Sequence, residues 1–149
     1  MTEVLFYHLE RRPLEVVLPT LLEKSLERGW RCVVQCASSE RRDALDSHLW
    51  TYNDSSFLPH GTETQPQPER QPVLLSTSED NPNGAQIRFM LDGVPLTDAS
   101  SYVRVVHMFD GHDEEQVAAA RERWRETKAQ GHEMTYWQQD ENGRWVRKA

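Results

Sequence analysis

No apolar run in this sequence approaches the roughly eighteen residues that a membrane span needs, which excludes an integral helical membrane protein. Cysteine is scarce as well. The two thiols, Cys32 and Cys36, fall in Arg31-Cys-Val-Val-Gln-Cys36, a run that reads as a buried strand. At about 3.3 Å per residue they would stand about 13 Å apart along one face, beyond the reach of about 7 Å that a disulfide allows. Neither a disulfide nor a shared metal follows, and both read as small core residues suited to a reducing compartment. A basic excess is also missing. The formal net charge is −7, whereas nucleic-acid binders gain affinity by neutralising phosphates with surplus cations. Only residues 121–149 reverse the sign, with seven basic and five acidic side chains. The N-terminal Met-Thr-Glu-Val-Leu-Phe-Tyr has neither the basic start nor the apolar core of a signal peptide. The expectation is a soluble, cytoplasmic protein.

Glycine is absent where a nucleotide would need it. The turn after the first apolar run reads His8-Leu-Glu-Arg-Arg-Pro13, without the residues that let backbone amides approach a pyrophosphate. There is no G-x-x-x-x-G-K-[ST] loop and no G-x-S-x-G elbow, and neither cysteine has the exposed, electropositive setting of a nucleophile. His107, Asp110 and His112, with Asp113 beside them, are the only candidates for a small-molecule enzyme. They sit where a strand should end, the place such folds put chemistry. The simpler reading keeps His107 in the strand, lets Asp110-Gly111 turn the chain and gives Asp113 to the next helix as its cap. No metal-ligand spacing such as H-E-x-x-H is present, and no cofactor is implied.

What the sequence does hold is a regular alternation of strands and helices. Val4–Tyr7 is apolar and β-prone. Leu14, Val17, Leu18, Leu21, Leu22 and Leu26 recur at helical steps, with Pro13 suited to a first turn and Gly29 to the C-terminal cap. Pro19 either kinks that helix or marks a turn before it. Strand 31–36 follows, then a helix from about Ser39 to Leu49, capped by Ser38 or Ser39, with Ala44, Leu45 and Leu49 inward. Residues 61–72 carry three prolines and no large apolar group, and read as an exposed, mobile loop. Strands are expected at 73–75, 87–91 and 102–109, the last near-continuously apolar as a central strand would be. Asp113 and Gln116 make a capping box for a helix running to about Gln130. Thr135–Trp137 and Arg144–Val146 flank Asn142-Gly143, the signal for a two-residue hairpin turn. This order implies one α/β domain over residues 1–149, with a mostly parallel twisted sheet of Rossmann-like topology, no nucleotide motif, and a C-terminal β-hairpin at 132–149.

Two constellations stand out. Arg121, Trp124, Arg125 and Lys128 fall at i, i+3, i+4 and i+7, so they share one helix face. Three cations around an indole suit an acidic peptide with an apolar or aromatic residue. Alternatively Trp124 joins Val117 and Ala120 in the core stripe, and the cations are merely solvated. In the second constellation the helix ending at Leu49-Trp50 runs into a connection holding Tyr52, Phe57, Leu58 and Pro59, apolar where connections are normally polar.

Leu45-Asp46-x-x-Leu49-Trp50, Ser56-Phe57-Leu58-Pro59-His60 and Ala120-Arg-Glu-Arg-Trp-Arg125 together resemble the chi subunit of bacterial DNA polymerase III, over roughly the first 130 residues. The resemblance implies a non-catalytic accessory subunit of the replicative holoenzyme, in the cytoplasm at the nucleoid-associated replisome. It implies that Arg121, Trp124 and Arg125, with Lys128, hold the acidic, phenylalanine-terminated tail of single-stranded DNA-binding protein. It also implies that Trp50, Phe57, Pro59 and His60 engage the psi subunit or an equivalent clamp-loader or helicase partner, so that association with DNA is indirect. Val117 stands where familiar members carry a basic residue, and the hairpin at 132–149 reads as an extension. Direct nucleic-acid binding by the basic C-terminal segment is the remaining alternative.

Overall fold

The computed structural model describes residues 2–52, 58–96 and 99–149. Its strands are β1 (Glu3–Leu9), β2 (Cys32–Gln35), β3 (Gly61–Thr62), β4 (Val73–Ser76), β5 (Ile87–Leu91), β6 (Arg104–Asp110), β7 (Glu133–Gln139) and β8 (Trp145–Arg147). Its helices are α1 (Leu14–Glu27), α2 (Ser39–Thr51) and α3 (Glu114–Ala129). The strands form one sheet in the order β3-β4-β2-β5-β6-β1-β7-β8, parallel throughout except where β8 returns against β7. The expected α/β class holds.

Because side chains alternate along a strand, each strand feeds two layers. Leu5, Val34, Leu75, Phe89 and Val106 meet Leu18 and Leu22 of α1 and Leu45 and Leu49 of α2 on one face. Val4, Phe6, Leu74, Met90 and Phe109 meet Ala120 of α3 on the other. Cys32 and Cys36 are buried in the first layer, where burial pushes both thiols up to about 12.

Several local expectations are corrected. Pro19 lies inside a single α1 rather than dividing it. Proline has no N–H to give the carbonyl four residues back, and the freed Glu15 oxygen is met at 2.7 Å by Nε2 of His48 from α2. Ser38, not Ser39, caps α2, its side chain accepting from the N–H of Arg41 at 3.1 Å. Ala44 is exposed; the inward row is Arg42, Leu45 and Leu49, because Arg42 is held by Asp43 and Glu63 at 3.0 and 2.6 Å. The 61–72 segment is not wholly an exposed loop. Gly61 and Thr62 are buried as β3, and Pro68–Arg70 forms a 3-10 turn. Lastly, Asn142-Gly143 does not make a two-residue turn. Asp140 and Arg144 still pair, N–H to carbonyl at 2.8 Å, around a three-residue loop. Gly143 sits at φ +76° with its N–H on Asp140, the form in which a left-handed residue ends a type I turn.

The His48 contact is testable by urea unfolding. His48→Ala should lose about 1 kcal/mol in the native background, and clearly less beside Pro19→Ala, whose new N–H can satisfy Glu15. Equal losses in both backgrounds would refute the compensation.

Candidate functional site

β7 is the strand that builds the first candidate site. It lies beside β1, so the sequence β6-α3-β7 carries α3 across β1 and brings the helix over Phe6 and Tyr136. Asp113 opens α3, its Oδ1 accepting from the N–H groups of Glu115 and Gln116 at 3.0 and 3.2 Å. Gln116 does not complete the capping box on Asp113. Its Oε1 takes the N–H of Asp110 at 2.8 Å instead, tying the preceding turn to the helix.

Val117, Ala120, Trp124 and Thr127 form the inward stripe of α3, while Arg121, Arg125 and Lys128 stand exposed beside it. Trp124 belongs to both readings. Its ring meets Phe6 edge-on at 5.3 Å and Tyr136 at 5.8 Å, yet it stays only half-buried. Arg125 pairs with Glu122 at 3.2 Å, both largely exposed, so this bond is readily exchanged. The charge of Arg121 acts on both Tyr136 of β7 and His8 of β1. Arg123 lies on the opposite flank, paired with Glu126 at 3.4 Å.

Tyr136 and His8 adjoin the candidate site, and the sequence does not single them out. The Tyr136 hydroxyl lies 2.7 Å from Nδ1 of His8, whose Nε2 is 3.1 Å from Oε1 of Glu10. Gln138 donates to the same Glu10 oxygen at 2.7 Å. Burial lowers the His8 pKa against the pull of Glu10, and burial raises that of Tyr136 against Arg121. Gly111 makes this arrangement possible, since a Cβ there would stand 2.1 Å from Nε2 of His8. The available clue was topological: after a strand and a crossover helix, the next strand returns to the same sheet nearby.

The second constellation surrounds the end of α2. Trp50 is 55% exposed, with its ring 4.5 Å from that of His60. His60 is buried and fixed internally: its ring nitrogens lie 2.7 Å from the Leu58 carbonyl and 3.1 Å from Asp46 Oδ1. Leu58 is buried and Pro59 half-buried, while Phe57 lies outside the described residues. His60 is therefore the support under the Trp50 indole.

The His107, Asp110 and His112 grouping does not assemble. His107 is enclosed under α3, stacked on Phe6 at 4.5 Å with 12° between the rings. Asp110 and His112 line a cavity of about 560 Å3 at the strand ends, with Glu10, Arg12 and Arg41. Both are occupied in the turn, the N–H of His112 on Asp110 at 2.9 Å and Nε2 of His112 on the Glu10 carbonyl at 2.7 Å. At the β1–α1 turn, the N–H groups of Glu10, Arg11 and Arg12 all donate to Oε1 of Gln139, at 2.9, 2.9 and 3.2 Å. A side chain of β7 thus fills the backbone nest that a phosphate would occupy in a nucleotide-binding fold.

With that geometry in place, the family model for the DNA polymerase III chi subunit, HolC, matches residues 1–135. The chain belongs to the DNA polymerase III chi subunit family. It is also similar to the probable DNA polymerase III subunit chi of Rickettsia prowazekii (strain Madrid E), 26% identical over 108 residues, which is 70% of this chain and 66% of that relative. All of α3 and the first three residues of β7 lie inside the family match, and the rest of the hairpin lies beyond it.

His107 gives this site a pH signature. Burial pushes its pKa down from 6.5 to about 3, with Arg123 adding to the shift. Well above pH 6.5 the ring is neutral folded or unfolded; as pH falls through 6.5 towards 3 the unfolded chain takes up a proton that the folded chain refuses, so stability is lost. Urea unfolding at about pH 7 and about pH 4.5 should show a smaller acid loss in His107→Leu than in wild type, by up to about 1.4 kcal/mol per pH unit. Identical acid losses would contradict a buried neutral His107.

Proposed function

We propose that this chi-family chain is a non-catalytic accessory subunit of the replicative DNA polymerase III holoenzyme that binds the acidic C-terminal tail of single-stranded DNA-binding protein. The observation that carries the reading is the α3 rim. An indole with one edge on Tyr136 and Phe6 keeps its other side open, and Arg121, Arg125 and Lys128 stand beside it on the same helix face. A terminal aromatic ring packs on the indole and the tyrosine while carboxylates take the guanidinium forks. Anchoring Trp124 and Tyr136 in the core in advance lowers the ordering cost of binding. Arg125 exchanges its exposed Glu122 partner for the ligand, a swap of small cost. Val117 contributes no cation one turn earlier, and Lys128 supplies charge at the other end of the row.

The exposed Trp50 indole on its His60 support is the proposed contact for psi, or for an equivalent clamp-loader or helicase partner. Pro59, and Phe57 in the same sequence run, extend that patch. With one contact on α2 and the other on α3, which pack on opposite faces of the sheet, the subunit links polymerase machinery to tail-bearing protein without the two partners competing.

Titration of a tail peptide tests the first contact. Arg121→Ala and Arg125→Ala should each weaken binding about tenfold, the loss expected of a charge-assisted hydrogen bond. Raising salt from about 0.05 to about 0.5 M should weaken the wild type more than the double variant, because exposed charge pairs are screened. Equal binding by wild type and the double variant at both salts would overturn the reading.

A further inference from the structure

A second cationic and aromatic pocket lies on the opposite side of the sheet from α3. It is a cleft of about 200 Å3 between the C-terminal half of α1 and strands β5, β6 and β1. Ile87, Phe89 and Val106 form its floor, all buried in the layer under α1. Tyr7 and Trp30 wall it, and Trp145 of β8 packs against Tyr7 at 4.7 Å, so the hairpin buttresses the outer side.

Trp30 organises the charge. The guanidinium of Arg28 stands 5.0 Å from the centre of its ring, and that of Arg104 stands 5.3 Å from it. One indole therefore holds two guanidinium groups at the mouth of an apolar cleft, which reduces the side-chain freedom each would lose on taking an anion. Lys24 adds a third cation to the lining. Glu3 neutralises Arg104 at 2.7 Å, and among the described residues neither Lys24 nor Arg28 has a carboxylate in ion-pair range. In a chain of net charge −7, Lys24 and Arg28 leave a net positive rim beside the apolar side chains of the cleft.

We propose that this cleft is a second peptide-docking pocket, taking an acidic segment that carries one bulky apolar side chain. The volume suits one such side chain, and the floor of branched and aromatic carbons has no donors or acceptors to hold the edge of a nucleobase. The cation rim then pairs with carboxylates flanking the anchor. The proposal does not rest on the α3 reading. The sheet separates the two pockets, and each has its own tryptophan.

The five tryptophans make the test direct, since each gives one indole N–H resonance in a nitrogen-15 spectrum of the full chain. The probe is the peptide Asp-Glu-Asp-Glu-Gly-Phe, with an oligothymidylate of matching length as the second arm. Saturable movement of the Trp30 resonance with the peptide is expected, weakened about tenfold or more in Lys24→Glu/Arg28→Glu, whose exposed positions leave the fold intact as checked, before peptide is added, by the unmoved Trp124 resonance on the other face of the sheet. The same Trp30 response should persist in Arg121→Ala/Arg125→Ala, whatever happens at Trp124. A Trp30 resonance that stays still at millimolar peptide overturns the proposal, as does one that moves equally in the charge-reversed variant. Movement with oligothymidylate alone overturns it in favour of nucleic acid. The α3 reading fails separately, on the Trp124 resonance.

Discussion

The packing of Phe6 is the interaction on which the rest of this molecule depends. Its ring is fully buried at the middle of β1, stacked on His107 of β6 at 4.5 Å, near-parallel to Tyr136 of β7 at 6.3 Å and edge-on to Trp124 of α3 at 5.3 Å. One side chain thereby joins three neighbouring strands to the helix above them. Such aromatic contacts contribute about 0.5–1.5 kcal/mol each beyond the area they bury. The same contacts shape the proposed tail site, because they fix the inner side of Trp124 and leave it half-buried beside the exposed Arg121 and Arg125. The chemistry of His107 follows from this role: a ring enclosed between Phe6 and α3 stays neutral and cannot also serve a site at the strand ends.

The strand-end crevice shows the same economy. A parallel sheet of this kind places ligands at the carboxyl ends of its strands, and a cavity is present there. Yet the three N–H groups of the β1–α1 turn converge on Gln139, Arg41 is paired with Glu15 and Asp92, and His112 is bound to the Glu10 carbonyl. The polar groups a nucleotide would recruit hold the loops to each other and to β7. Both proposed peptide pockets lie instead on the faces of the sheet, at the margins of helices, where aromatic rings emerge from the core among cations.

Much of this was legible because it is local. Leu14 to Leu26 recur at helical spacing and α1 is there; Val105 to Phe109 are apolar but for His107, and β6 is buried between β1 and β5. The row from Arg121 to Lys128 was visible as one helix face. What escaped was set by pairing between distant segments. The hairpin looked like a tail, and its first strand proved to be the neighbour of β1, which is how Tyr136 and His8 meet across 128 positions. Pro19 left open a kink or a turn before the helix, and nothing near it in sequence showed that His48 on another helix supplies the missing partner. Gly61-Thr62 looked solvated because two residues are too few for periodicity, although β4 takes them into the sheet. The Trp30 pocket was equally hidden, since Arg28 and Arg104 are remote in sequence and share only an indole.

The central claim is that a partner's acidic, aromatic-ended tail lies on α3 against β7. Intermolecular nuclear Overhauser contacts between a bound tail peptide and the full chain measure this most directly. Contacts from the terminal phenylalanine ring to the Trp124 indole and the Tyr136 ring are predicted. Saturating peptide whose phenylalanine shows contacts only to Trp30, or only to Trp50, would contradict it.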